Sequence, residues 1–190
     1  MKIEKTSIDG VVTLSFEPFQ DARGRFNRIF CRRELAPIRP GLVIQQINQS
    51  HTVQKGYVRG LHFQYPPHAE LKIITCIRGS VFDVALDLRK GSPSLLRWHG
   101  EILSATNQKA LIVPEGCAHG FQALENDVEL LYFSSAYYYP EAEGGIRYND
   151  PLANVTWPEQ VTLVSDKDAA LPLVAADFNG LEVLHETTAI

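Results

Sequence analysis

Short apolar runs separated by turn residues make up most of this chain. Val, Ile, Leu and Phe cluster in brief segments bounded by Gly, Pro, Asn and Asp. That is the pattern of strands in an all-β sandwich or barrel, not of amphipathic helices. The predicted strands are Val11–Phe16, Leu42–Ser50, Val58–Gln64, Leu71–Ile77, Val81–Leu88, Leu95–Leu103, Ala110–Val113, Gly120–Leu124 and Val128–Ser134. Arg78-Gly79 reads as a hairpin turn between two of them, and Gly91-Ser92-Pro93 as a further break. Helix is scarce. Arg32–Ala36 suits a turn or two, and Asp166–Ala170 reads as a short helix with Ser165 as its N-cap. No repeat or low-complexity linker divides the chain, so one domain over residues 1–190 is expected, with an irregular tail after Trp157.

Strand alternation assigns side chains to faces. In Leu42–Ser50, Ile44, Gln46 and Asn48 point one way, and two amides on one face suit a polar pocket. In Val128–Ser134, Tyr132 shares a face with Leu130, and Phe133 turns away. In Val58–Gln64, Arg59 and His62 differ by three positions, so a regular strand splits them. A bulge at Gly60 would bring both to one site.

Composition removes several function classes. Apolar content of 45% and charged content of 21% suit a globular domain. A net charge of −4 does not indicate a nucleic-acid surface. The opening MKIEKTSIDG lacks the apolar core of a signal peptide, and no apolar run approaches a membrane span. Three widely spaced cysteines, Cys31, Cys76 and Cys117, argue against a disulfide framework and fit a cytoplasmic location.

The candidate chemistry centres on Arg59-Gly60-Leu61-His62-Phe63-Gln64, with Lys72 following. A histidine titrates near neutral pH and suits general-base work, and flanking cations suit an anionic substrate. Tyr132 is a candidate proton donor. Of the early arginines, Arg23 stands out because the Asp21-Ala22-Arg23-Gly24 turn fixes its position, and guanidinium groups match phosphate oxygens. Pro114-Glu115-Gly116-Cys117-Ala118-His119 is similar to the second motif of metal-binding cupins. The His-x-His of their first motif is missing, and His68-Ala69-Glu70 is a poor substitute, so the ligand count falls short and no metal is expected.

Together these pieces resemble the dTDP-4-dehydrorhamnose 3,5-epimerase family, a branch of the cupin-like jelly rolls. The resemblance runs from about Asp21 to Pro172. It includes Asp21–Gly24, Gln46-Ile47-Asn48, Arg59–Gln64, Gly79–Val84, Asp87–Pro93, Val113–Phe121, Tyr138–Glu143, Asn149-Asp150-Pro151 and Ser165-Asp166-Lys167-Asp168. It implies an all-β, cupin-like jelly-roll barrel with few short helices. His62 would be the base and Tyr132 the acid. Asp168 would be the carboxylate behind His62, with Asp166 its competitor, and Lys72 would sit by the sugar O4. Nucleotide and sugar contacts would carry over to Arg23, Gln46, Asn48, Arg59, His119, Tyr138 and Glu143. The implied activity inverts C3, C5 or both in a nucleotide-diphospho-4-keto-6-deoxyhexose, without a metal or other cofactor. The implied assembly is a homodimer that exchanges an N-terminal segment, so Arg23 would serve the neighbour's site.

The chain departs from the family pattern at three places. Phe26-Asn27-Arg28 stands where the family has Phe-x-Glu. A donor-only arginine suits an acceptor-rich base edge, which favours a CDP-sugar as the alternative substrate. Glu70-Leu71-Lys72 replaces Gln-Gly-Lys, and Phe133 replaces a lysine. A single-centre epimerase, a 3,4-ketoisomerase, a metal cupin oxygenase and a non-catalytic sugar-binding module are the other readings. The joint presence of His62, Lys72 and Tyr132 disfavours a mere binder.

Overall fold

The computed structural model describes residues 1–183. Its strands are β1 (Lys2–Lys5), β2 (Val12–Ser15), β3 (Phe19–Asp21), β4 (Gly24–Phe26), β5 (Gln46–Thr52), β6 (Tyr57–Gln64) and β7 (Lys72–Arg78). They continue with β8 (Ser80–Asp87), β9 (Trp98–Ser104), β10 (Lys109–Val113), β11 (Cys117–Ala123), β12 (Val128–Ser134), β13 (Glu143–Gly145) and β14 (Leu163–Val164). Two short helices, α1 (Arg32–Leu35) and α2 (Asp166–Ala169), complete the set with a 3₁₀ turn at Pro140–Ala142.

Two sheets face each other. One runs β1-β2-β10-β7-β12-β5 and the other β13-β6-β11-β8-β9, with β14 alongside β6. Val81, Ala85, Leu103 and Phe121 of the second sheet pack against Ile74, Leu111 and Leu130 of the first, forming the central core. Each sheet is also covered outside. Residues around α1 cover Val12, Leu14, Ile73 and Phe133, while the C-terminal region covers Leu61, Phe63, Val84 and Leu86. Burial on both faces explains why β7 and β8 read as nearly continuous apolar runs.

Three expectations need correction. Arg78-Gly79 is not a hairpin turn, because β7 and β8 belong to different sheets. Gly79, at φ +71°, turns a corner between sheets instead. The strand expected from Leu42 begins at Gln46, and Ile44 packs with the outer cluster. Leu95–Arg97 is likewise a turn ahead of β9, with Leu96 at φ +62°. The short hairpin of β3 and β4 joins neither large sheet.

Candidate active site

A cavity of about 730 Å³ opens between the sheets where polar side chains replace the central core. Its walls come from β5, β7 and β12 on one side and β6 and β11 on the other; α2, β13 and the segment around Tyr138 form its rim.

The strand carrying His62 is irregular in the predicted place. Against β11, His62 pairs with His119 and Arg59 with Phe121, so three steps on β6 match two on β11. This bulge turns both Arg59 and His62 to the cavity. Glycine is required at its centre: Gly60 has φ +113°, and a Cβ there would lie 2.6 Å from Gly120 Cα and 2.7 Å from the His119 carbonyl oxygen. The Gly60 N–H then points at Asp168 Oδ2, 3.0 Å away.

Asp168 is delivered by α2. Ser165 caps the helix by accepting from the Asp168 N–H at 3.1 Å. The other carboxylate oxygen lies 2.7 Å from His62 Nε2. Burial pushes the Asp168 carboxyl up, but the His62 hydrogen bond and the Gly60 N–H outweigh it and hold the group below the usual range. An ionised carboxylate only accepts, so His62 Nε2 carries the proton and Nδ1 is left with a free lone pair. Asp166, exposed on the same helix, is not the partner.

Tyr132 lines the same cavity from the opposite sheet, and its hydroxyl lies 2.9 Å from Ser50 Oγ. Burial raises its pKa well above that of a free phenol, so it enters any reaction protonated. Lys72, on β7, lies 3.1 Å from Glu70 in the same cavity. His119 Nε2 lies 2.8 Å from Asp83 Oδ1. Asp83 is fully buried, and its Oδ2 has no hydrogen-bond partner among the described residues. Burial pushes the Asp83 carboxyl up despite the opposing influence of His119. His68 and Glu70, the weak candidates for a metal motif, part company: His68 stacks on Tyr139, and Glu70 meets Lys72.

The outer cavity carries further polar groups. Arg59 donates through Nε to Thr52 Oγ1 at 3.1 Å and through a terminal nitrogen to the His51 carbonyl at 3.0 Å. Gln46 Oε1 accepts from Tyr138 N–H at 3.0 Å. The Tyr138 hydroxyl donates to Glu143 at 2.6 Å, and Lys167 holds the same carboxylate at 2.7 Å. Asn48, two positions after Gln46 on β5, also lines the space.

Two of the expected contact residues lie away from the cavity of their own chain. Arg23 projects from the β3–β4 turn, 90% exposed and paired with Asp21 at 2.6 Å. Arg28 pairs with Glu34 at 2.7 Å on the exposed flank. Neither lines the cavity of its own chain, and no strand of the large sheets pairs with the hairpin that carries Arg23.

A family model described as dTDP-4-dehydrorhamnose 3,5-epimerase matches residues 5–176. The chain belongs to the dTDP-4-dehydrorhamnose 3,5-epimerase family. The dTDP-4-dehydrorhamnose 3,5-epimerase of Salmonella typhimurium is 40% identical over 176 residues, covering 92% of this chain and 96% of its own. A dTDP-4-dehydrorhamnose 3-epimerase of Streptomyces niveus is 38% identical over 189 residues, covering 98% and 91%. The crystal structure of dTDP-6-deoxy-D-glucose-3,5-epimerase from Legionella pneumophila Philadelphia 1, in complex with dTDP-4-keto-L-rhamnose, superposes with a TM-score of 0.87. It is 36% identical and covers 96% of this chain and 98% of its own. The fold is accordingly the cupin-like jelly roll of these isomerases.

Ser50 and Lys167, which line this epimerase-family cavity, and Asp83, buried behind His119, are groups that sequence reasoning missed. Ser50 follows Gln46 and Asn48 on the same strand face, so alternation already pointed to it. Asp83 was visible as the lone acid inside the apolar run Val81–Leu86. Lys167 lies inside the quoted Ser165–Asp168 motif.

Proposed function

We propose that this protein epimerises a dTDP-4-keto-6-deoxyhexose by proton removal and return, with His62 as base and Tyr132 as acid. The observation that carries this reading is their placement. An imidazole backed by a carboxylate and a protonated phenol line one cavity from opposite sheets. A carbon held between them loses its proton on one face and gains one on the other, which is inversion.

The C4 ketone acidifies the hydrogens on C3 and C5. His62 takes one of them, and the C–H electron pair moves into a carbon–carbon double bond as charge develops on O4. The Lys72 ammonium stabilises that charge in an oxyanion role. Tyr132 protonates the carbon from the far side, the ketone re-forms, and solvent restores both residues. Asp168 stabilises the imidazolium formed on His62. Arg59, Gln46, Asn48, His119, Tyr138 and Glu143 hold the nucleotide diphosphate and sugar, whose binding energy positions the reacting carbons.

The relatives' names support dTDP as the nucleotide. A CDP-sugar is the alternative through Arg28, which pairs with Glu34 in its own chain and follows β4 by two residues. Inversion at C3 alone is the second reading, favoured by the 3-epimerase name of the Streptomyces niveus relative. We further propose a homodimer in which the β3–β4 hairpin reaches the other copy's cavity. Phe19 and Phe26, 81% and 70% exposed, support this, as does Arg23 at the hairpin's tip. A cytoplasmic site of action fits three free thiols. No described helix is long and apolar enough to cross a membrane.

Proton NMR of dTDP-4-keto-6-deoxyglucose with the protein in D₂O tests the reaction. Deuterium is expected at C3, with or without C5, and His62→Ala should abolish it. Tyr132→Phe should retain exchange while slowing inversion. Lack of exchange with dTDP-, CDP-, UDP- and GDP-linked sugars alike overturns the proposal.

A further inference from the structure

Gln64 ends the Arg59–Gln64 segment, two positions beyond His62 on β6, and the chemistry above gives it no role. Its side chain is buried, at 3% exposure. Nε2 donates to the His68 carbonyl at 3.0 Å and to the Tyr137 carbonyl at 3.1 Å. Oε1 accepts from the Tyr139 N–H at 2.7 Å. Both amide donors are therefore in use. The Tyr137 carbonyl belongs to the peptide before Tyr138, and the Tyr139 N–H to the peptide after it. One buried amide thus ties both peptides that flank Tyr138.

Leu71 ties the start of this stretch at Ser135, and the Tyr139 carbonyl accepts from the Ala142 N–H, but neither bond reaches the peptides on either side of Tyr138 that Gln64 holds. Residues 135–139 lie outside every strand and helix, and Tyr138 is 51% exposed. Gln46 holds the Tyr138 N–H, and Glu143 its hydroxyl. The bond to His68 draws the turn after β6 into the same knot, where the His68 ring lies 3.8 Å from that of Tyr139. The knot contains none of His62, Lys72 and Tyr132.

We propose that Gln64 is the positioning residue of the binding rim, setting Tyr138 in place before the substrate arrives. The proposal rests on the reading of the cavity as a nucleotide-sugar site with Tyr138 as a binding contact. A rim already ordered loses less freedom on binding. Gln64 therefore acts on affinity through Tyr138 and leaves the proton transfers alone.

Gln64→Met keeps the length and removes all three hydrogen bonds. With dTDP-4-keto-6-deoxyglucose, KM should rise about tenfold while kcat stays within about threefold. In a Tyr138→Ala background the same substitution should change KM by less than about twofold, because its route of action is gone. Independent, multiplying effects in the double variant overturn the proposal, as does a fall in kcat at unchanged KM. Should Gln64→Met fail to fold, Gln64→Glu replaces it: the acceptor for Tyr139 remains, and both donors are lost. A readout free of substrate separates this claim from the functional one. The Tyr139 amide should exchange with solvent about tenfold faster in the variant than in the wild type. An unchanged rate overturns the clamp, whereas wild-type inactivity with intact Tyr139 protection overturns only the assigned substrate.

Discussion

Replacing Asp168 by Asn should disable the base while leaving the cavity in place. In the wild type one carboxylate serves two donors, His62 Nε2 at 2.7 Å and Gly60 N–H at 3.0 Å. An asparagine has only one oxygen. If that oxygen serves Gly60, the amide NH₂ faces His62 Nε2 and forces the proton onto the nitrogen meant to act as base. If it serves His62, the NH₂ opposes the Gly60 N–H, donor against donor in a buried site. The first arrangement avoids the clash and inverts the tautomer.

The lost charge sets the magnitude. Unit charges about 4 Å apart attract by about 4 kcal/mol at an effective dielectric of about 20. The Asp168 side chain is 6% exposed and that of His62 30%, so solvent screens part of this attraction. A remainder of about 3 kcal/mol corresponds to about two orders of magnitude in rate. With the tautomer error added, kcat for deuterium incorporation should fall about 10²- to 10³-fold. KM should change less than about threefold, since Asp168 binds no part of the substrate in this scheme. Asp166→Asn, at the exposed position two residues earlier, is the control and should stay within about twofold. The rate of C3–H exchange in D₂O, followed by proton NMR for both variants, decides the matter. An Asp168→Asn rate within about fivefold of wild type, or equal losses in the two variants, refutes the assigned pairing.

Gly60→Ala should destabilise the fold by about 3 kcal/mol or more, because its Cβ would meet backbone at 2.6 and 2.7 Å and its φ is +113°; thermal unfolding checks this, and an unchanged Tm contradicts the packing argument. Asp83 is raised by burial, so the folded state binds its proton more tightly than the unfolded chain. Its stabilising contribution is complete below the unfolded value of about 4 and is lost as pH rises through the native value. Asp83→Asn should therefore gain Tm relative to wild type on going from about pH 5 to about pH 8, and a difference independent of pH would count against it.

Most of the fold was legible because its strands are short, apolar and punctuated. Apolar runs on β2, β6, β7, β8 and β12 mark their positions within a residue or two. Sheet membership was not. Arg78-Gly79 has the local chemistry of a hairpin, yet β7 and β8 pair with other partners, and only long-range pairing separates a corner from a turn. Leu42 and Ile44 misled for a related reason. They are apolar because they cover the outside of a sheet, not because they extend a strand.

The site shows where alternation suffices and where it fails. Gln46, Asn48 and Ser50 share the strand face that alternation assigns and line the cavity, which Gln49 and His51 also border, and Tyr132 separates from Phe133 by the same rule. Arg59 and His62 break it, and the break was readable only because a glycine stood between them. The geometry gives that glycine a second task which spacing could not disclose: its N–H helps keep Asp168 ionised. Asp168 itself lies more than a hundred positions from His62. A pairing of that separation depends on where α2 docks against β6, and its cap and buried face carry no preference between Asp166 and Asp168 until the helix is placed. Arg23 marks the opposite limit. Its turn forms as read, with Asp21 accepting from its backbone N–H at 2.8 Å, yet the hairpin has no sheet of its own chain to join. Local chemistry therefore fixes the shape of that arm, while its role depends on the surface it meets.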